Sequence, residues 1–143
     1  MEYSFQVHWG DTDAAGIVFY PNFYKWMDAA SHHFFATIGH STWRLFQEEK
    51  IGMPIVEAKC QFHSPLFFED QVCVKSTIAE LREKSFRIQH QFFRGEQLVA
   101  EGYEVRVWTK FGGDRPKAAP IPAELREKMQ REAVTITREE GSW

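Results

Sequence analysis

From Phe23 onward the apolar residues fall at positions 23, 26, 27, 30, 34, 35 and 38, the spacing of one helical face. Pro21 suits the first turn of that helix, where its missing N–H would be unpaired anyway. Gly39 suits the position just past the last turn, where a residue of positive φ ends a helix. The pattern predicts one long helix starting between Tyr20 and Asn22, led in by Gly16, Ile17, Val18 and Phe19. Ahead of it, Tyr3, Phe5, Val7 and Trp9 alternate with Ser4, Gln6 and His8, which predicts a short strand over 3–9. Thr42 is placed to cap a second helix over 43–49, whose thin apolar face suits a lid or connector on the first. Gly52 and Pro54 break it.

Strand patterns then run over 55–62, 72–80, 85–94 and 97–110, with Ser64-Pro65 breaking the first and Gly95-Glu96 joining the last two as a hairpin. Residues 111–122 carry Gly-Gly and several prolines and read as turn and extended coil. A charged helix is expected over 123–132, and the tail from 133 is either an added edge strand or frayed. One strand, one long helix and then four strands predict an α+β fold in which a curved antiparallel sheet wraps the helix. The alternative is an ordinary α+β sandwich with the helix outside the sheet. The single wrapped layer leaves one sheet face and an edge open, which favours self-association.

The 143 residues are expected to form one domain, 1–143, with no internal repeat. Hydrophobic residues make up 43% and aromatics 15%, which excludes a disordered chain and suits a ligand or subunit surface. A formal net charge of -3 disfavours nucleic-acid binding through bulk positive charge. The opening MEYSFQV has neither a basic region nor a long apolar run, so no signal peptide or membrane span is expected. Cys60 and Cys73 fall in strand patterns as small buried thiols, with no disulfide framework, and point to the cytoplasm. His8, His32, His33, His63 and His90 lack the regular spacing of a zinc site, so no metal is expected, and there is neither a G-x-S-x-G elbow nor a P-loop.

The chemistry-bearing stretch is the loop that feeds the long helix. Free amides at a helix start beside the carboxylates of Asp11 and Asp13 are two halves of an acyl-transfer site: donors for a developing oxyanion, and a nucleophile or base. The same aspartates can instead brace the turn through Asx bonds. Residue types alone leave both readings standing.

The run Gly10-Asp11-Thr12-Asp13-Ala14-Ala15-Gly16-Ile17-Val18-Phe19-Tyr20-Pro21-Asn22-Phe23, continued by Trp26-Met27-Asp28-Ala29-Ala30-Ser31, resembles the signature of hotdog-fold acyl-CoA thioesterases, in particular the 4-hydroxybenzoyl-CoA thioesterase branch. Pro54-Ile55-Val56 and Arg82-Glu83-Lys84-Ser85-Phe86 resemble the same branch, and the likeness covers about residues 5–110. It implies a long central helix in a curled antiparallel sheet, assembled as dimers and as a homotetramer of two dimers, with active sites between subunits. It makes Asp13 the catalytic carboxylate, attacking the thioester or activating water, and gives the thioester oxygen to the Tyr20 N–H with Gly16 shaping the approach. Pro21 stands where thioesterases of the cell-envelope-associated type carry a His.

Asp11 is expected to organise the loop, and Asn22 to cap the helix or fix the loop. Asp28, with Tyr24, Ser31 and His32 beside it by helical spacing, reaches a polar group on the acyl substituent or else is solvated or intersubunit. Arg82, Lys84 and Ser85 are candidates for the coenzyme phosphates, with Glu83 replacing an expected base; Arg115 and Lys117 are further candidates, and plain solvated bases are the alternative. Trp26, Phe34 and Phe35 read as core, and His63 near a turn has no assigned mechanism. The expected activity is hydrolysis of an aromatic, hydroxybenzoyl-like or small acyl-CoA to free acid and coenzyme A, the coenzyme being substrate and no other cofactor being required. Alternatives are a short- or medium-chain fatty acyl-CoA or acyl carrier protein thioesterase, and a non-catalytic acyl-binding protein.

Overall fold

The computed structural model describes residues 1–133. The tail expected to add an edge strand or fray lies outside them, apart from Ala133, which bridges to Ile78. Strand β1 (Glu2–Gln6), helix α1 (Pro21–Thr37), helix α2 (Thr42–Glu49) and strands β2 (Ile51–Gly52), β3 (Ile55–Phe62), β4 (Gln71–Leu81), β5 (Ser85–Arg94), β6 (Gln97–Val107), β7 (Thr109–Lys110) and β8 (Lys117–Ala118) precede helix α3 (Ala123–Arg131). Five strands form one antiparallel sheet in the order β1-β4-β5-β6-β3, and α1 lies against its inner face. Register shifts at Ile78/Glu80, Phe92/Phe93 and Ile55/Glu57 are the irregularities that let a sheet curl around a helix.

Ten of the 17 residues of α1 are Asn, Tyr, Trp, Ser, His, Phe or Thr, none a strong helix former, so packing more than propensity holds it. Phe23, Met27, Ala30, Ser31, Phe34 and Phe35 are buried, and each large apolar side chain contributes roughly 1.5–3 kcal/mol on leaving water. Pro21 is its first residue, and Gly39 stops it at φ +90. There the Gly39 N–H donates to Ala36 O at 3.1 Å and the His40 N–H to Phe35 O at 2.8 Å, the paired bonds of a Schellman ending. Gly102 of β6 permits the close approach beneath it: an added Cβ would stand 2.2 Å from Lys59 O and 3.0 Å from Met27 Sδ.

The core falls into two apolar clusters. One gathers Phe23, Met27, Val72, Val74, Phe92 and Ala100 around the first half of α1; the other gathers Phe34, Phe35, Ile78, Phe86, Trp108 and Leu125 around the second half and α3. Ser31, Ser76, His90, Glu104 and Arg106, all buried, lie on α1 and the inner sheet face between the two.

Several sequence expectations need correction. The first strand stops at Gln6, because the Asp11 carboxylate takes the His8 N–H and bends 9–11 into a 3-10 turn, leaving Trp9 exposed. Ser41, not Thr42, is the N-cap residue of α2, and the Thr42 hydroxyl instead lies 2.6 Å from His32 Nδ1. The strand expected over 97–110 breaks at Trp108, where the chain passes from the large sheet to a small one, β2-β7-β8. Lys117–Ala118 pairs with β7 inside the stretch expected to be coil. Cys60 is buried as expected, its thiol pushed up to about 12 by burial and then by Glu101, while Cys73 is only half-buried.

Candidate active site

Residues 12–18 fold back as a tight loop. Thr12 bridges Val18, the Asp13 N–H donates to Ile17 O at 2.9 Å, and the Gly16 N–H donates to Asp13 O at 2.9 Å. Gly16 sits at φ +82 with nothing within 4 Å of an added Cβ, so the position requires the backbone angle and not the empty space. The loop is docked on the chain between β3 and β4 through the Ile17–Phe67 bridge and a Val18 N–H bond of 2.9 Å to Leu66 O. Asn22 ties it to the helix, its Nδ2 donating to Asp11 O at 2.9 Å, and the Phe19 N–H donates to the same oxygen at 2.8 Å.

Asp13 is exposed, and its Oδ1 accepts the Ala15 N–H at 2.8 Å. Among the described residues its Oδ2 has no partner, so one oxygen braces the turn and the other is open. Tyr20 is the residue before the first turn of α1, and among the described residues its N–H has no acceptor. No acidic side chain occupies the first turn, which leaves the positive end of the helix dipole uncompensated. A cleft of about 430 Å³ opens at this end of the helix, walled by Ile17, Tyr20, Phe23, Phe62, His63 and Leu66. The Tyr20 ring is exposed and meets Phe62 edge-on at 6.4 Å. The Asp13 carboxylate is not in the cleft wall, although Ile17, its hydrogen-bonded partner across the turn, is.

Asp28 lies two turns further along α1, half exposed. Its Oδ1 is 2.8 Å from Arg106 Nη2 and 3.3 Å from His32 Nε2. Arg106 also donates through Nε to Glu104 Oε1 at 2.9 Å and through Nη1 to Met53 O at 2.9 Å. Glu104 Oε1 accepts from Ser31 Oγ at 2.6 Å; His90 Nε2 lies 3.0 Å from that hydroxyl, and His90 Nδ1 lies 2.7 Å from Ser76 Oγ. Burial by itself would push the Glu104 carboxyl up. The His90 ring, 3.9 Å away and reaching it through the Ser31 hydroxyl, the Arg106 charge, and hydrogen bonds from Arg106 and Ser31 outweigh it and hold the group at about 2. Arg106 and His32 also form the polar side of a second, largely apolar pocket of about 530 Å³ with Trp43, Phe46, Met53 and Phe111.

The remaining candidates are elsewhere. Arg82 and Lys84 lie in the turn between β4 and β5, and Ser85 begins β5. The Asp13 loop is at the other end of β4, whose 11 residues span about 35 Å, so one chain does not bring these groups to Asp13. Arg82 is exposed and pairs with Glu80 at 2.8 Å, and Arg126 holds the Arg82 carbonyl. Arg115 and Lys117 are exposed on the segment before α3. Trp26 is partly buried and Phe34 and Phe35 fully so, as core. Sequence reasoning missed Glu104, Arg106 and His90. Their signal was weak: charged residues inside strands, on the face opposite Tyr103 and Val105.

Comparison with known proteins agrees with the fold. Residues 7–129 match the model of the thioesterase-like superfamily. The chain is 36% identical over 129 residues to a 4-hydroxybenzoyl-CoA thioesterase of Pseudomonas sp. (strain CBS-3), covering 85% of this chain and 92% of the relative. A solved gentisyl-coenzyme A thioesterase is 48% identical with a TM-score of 0.81, covering 91% of this chain and 99% of its own. A 4-hydroxybenzoyl CoA thioesterase mutant solved with 4-hydroxybenzoyl CoA is 34% identical with a TM-score of 0.84, covering 90% and 97%. With a curled sheet around a central helix and a match over most of its length, this chain belongs to the hotdog-fold thioesterase-like superfamily and is closely related to the 4-hydroxybenzoyl-CoA thioesterases.

Proposed function

We propose that the protein hydrolyses aromatic acyl-coenzyme A thioesters bearing a hydroxylated ring, releasing the free acid and coenzyme A in the cytoplasm. The observation that carries this is the Tyr20 amide at the positive end of α1, set beside the Asp13 loop; among the described residues the amide has no acceptor and one Asp13 oxygen no donor. The thioester oxygen sits on the Tyr20 N–H, which stabilises the negative charge that develops there. Asp13 Oδ2 attacks the carbonyl carbon and expels the thiolate, or takes a proton from an attacking water; both routes use the same geometry. Gly16 supplies the angle that turns the loop back toward the helix. Relatives named for 4-hydroxybenzoyl and gentisyl thioesters support an aromatic acyl group. Asp28, aimed by Arg106, accepts a hydrogen bond from the ring hydroxyl. Two free cysteines fit a reducing compartment, and no helix among the described residues is long and apolar enough to cross a membrane.

The site is completed by a second copy. Strand β3 pairs with β6 on one side only and exposes Ile55, Val56 and Phe62. Antiparallel pairing of β3 with its twin lays the Phe62 end of one strand beside the Ile55 end of the other. That sets the cleft at Tyr20 next to the partner's pocket around Asp28 and Arg106, and next to its turn carrying Arg82, Lys84 and Ser85. The coenzyme phosphates and the acyl ring are therefore served across the dimer, and two dimers form the tetramer. A panel of acyl-CoAs assayed with wild type and Asp13→Asn tests the reading. Faster release of thiol from 4-hydroxybenzoyl-CoA than from benzoyl-CoA or butyryl-CoA, lost in the variant, is expected; faster turnover of linear chains would overturn it.

A further inference from the structure

The cleft at the start of α1 has a single imidazole in its wall, and the chemistry described so far leaves it unused. His63 follows the last residue of β3, and its N–H donates to Val99 O at 2.8 Å, so the sheet fixes where the ring stands. Its Nε2 lies 2.9 Å from Glu101 Oε2 on the neighbouring strand β6. A carboxylate accepts only, so this contact makes Nε2 the protonated nitrogen of the neutral ring and leaves the Nδ1 lone pair free. The remaining walls, Ile17, Phe23, Phe62 and Leu66, are apolar. Packing does not explain the pair, since the His63 side chain is 39% and the Glu101 side chain 30% exposed.

We propose that His63, oriented by Glu101, is the base of the second half of the reaction. The proposal rests on the thioesterase reading, with Asp13 as nucleophile. Asp13 Oδ2 bonds to the acyl carbon as the carbon–sulfur bond breaks, leaving a mixed anhydride and coenzyme thiolate. Water then attacks the acyl carbon and gives one proton to His63 Nδ1. The bond to Asp13 breaks, its carboxylate is restored, and the free acid keeps the water oxygen. The departed thiolate takes a proton from solvent and His63 returns one to solvent, so one water is consumed and one acid and one thiol leave. Asp13 alone would have to serve as both leaving group and base in that step; an imidazole beside the cleft separates the two tasks.

The charged and titratable groups around the ring are Glu101 on β6, Tyr20 at the start of α1, Lys59 on the same outer face of β3, and Arg94, which donates to Pro65 O at 3.1 Å while paired to Asp70 at 2.9 Å. Among the described residues, Glu101 is the one of these that touches the imidazole.

The test is pre-steady-state thiol release from 4-hydroxybenzoyl-CoA, with pH profiles of kcat, for wild type, His63→Asn, Glu101→Gln and Asp13→Asn. His63→Asn is expected to lower kcat about 10- to 100-fold, to release one thiol per site in a burst before the slow phase, and to lose the acid limb of the profile. Glu101→Gln, which keeps an acceptor for the Nε2 proton, is expected to lower kcat less than His63→Asn does. Asp13→Asn releases no burst. A His63→Asn protein with wild-type turnover, or one that is slow only because its Tm has fallen and whose pH limb persists, overturns the proposal while loss in Asp13→Asn leaves the thioesterase reading standing. Normal turnover in Asp13→Asn removes the anhydride and the proposal with it, and a wild type that releases no thiol overturns both.

Discussion

Glu104 sits in the middle of the core with Ser31, His90 and Arg106 around its carboxylate, whereas Asp13 sits in an exposed turn with one N–H on one oxygen. Both are acids beside the same helix, yet their surroundings assign them opposite work. Enclosure with enough donors makes a carboxylate a fixture, since removing it strands a buried guanidinium. A carboxylate anchored by one oxygen keeps its direction and still has an electron pair to use. Donor number and water access, more than acidity of the residue type, separate the two.

The strongest way to break this contrast is to remove each carboxylate in turn. Asp13→Asn is expected to cut turnover about 10³-fold while shifting stability by less than about 0.5 kcal/mol in urea unfolding. Glu104→Ala is expected to cost about 3–5 kcal/mol of stability in the same measurement. If the stability losses came out reversed, the contrast would fail.

Acid titration sharpens it further. The folded-state Glu104 carboxyl is held at about 2, below its ordinary 4.5, so its contribution is complete above about 4.5 and fades as pH falls toward about 2. Unfolding monitored by circular dichroism should show that acid-side loss in wild type and lack much of it in Glu104→Gln.

Arg106→Lys probes the link between the two regions. A lysine cannot reach Glu104, Met53 O and Asp28 together, so stability should drop by about 1–3 kcal/mol. The rate preference for hydroxylated over plain benzoyl thioesters should fall about tenfold, roughly one hydrogen bond. The smallest effects belong to the two residues that flank the Asp13 carboxylate without supplying a side chain to the chemistry. Gly16→Ala should cost about 1 kcal/mol through its positive φ, with no clash to add. Tyr20→Phe, which keeps the backbone amide, should change kcat/KM less than about threefold.

The parts of this molecule written locally were legible in the sequence. Pro21 and Gly39 bracket α1 where the structure has it, and Gly95 turns the β5–β6 hairpin at φ +63. The loop of Asp11, Asp13 and Asn22 is also local, held by bonds within a dozen residues. What was hidden depends on partners far along the chain. Alternation over Tyr103, Val105 and Val107 points to the outer face, while Glu104 and Arg106 turn inward because Ser31 and Asp28 of α1 meet them there. Trp9 breaks its strand pattern because a carboxylate two residues later bends the chain, and β6 ends at Trp108 because the chain changes sheets. His63 could be singled out by type but not by role, since Glu101 is 38 positions away.

The polar layer across the core has a mechanical consequence for the helix that crosses it. An apolar rod on an apolar sheet has little to prevent it from sliding by a turn or rolling, because methyl and phenyl contacts are exchangeable. Ser31 to Glu104 and Asp28 to Arg106 act as two dowels, fixing the axial position and rotation of α1 at its midpoint. Eight residues upstream of Asp28 and eleven upstream of Ser31, about 12 and 16 Å at the rise of an α-helix, the Tyr20 amide inherits that alignment.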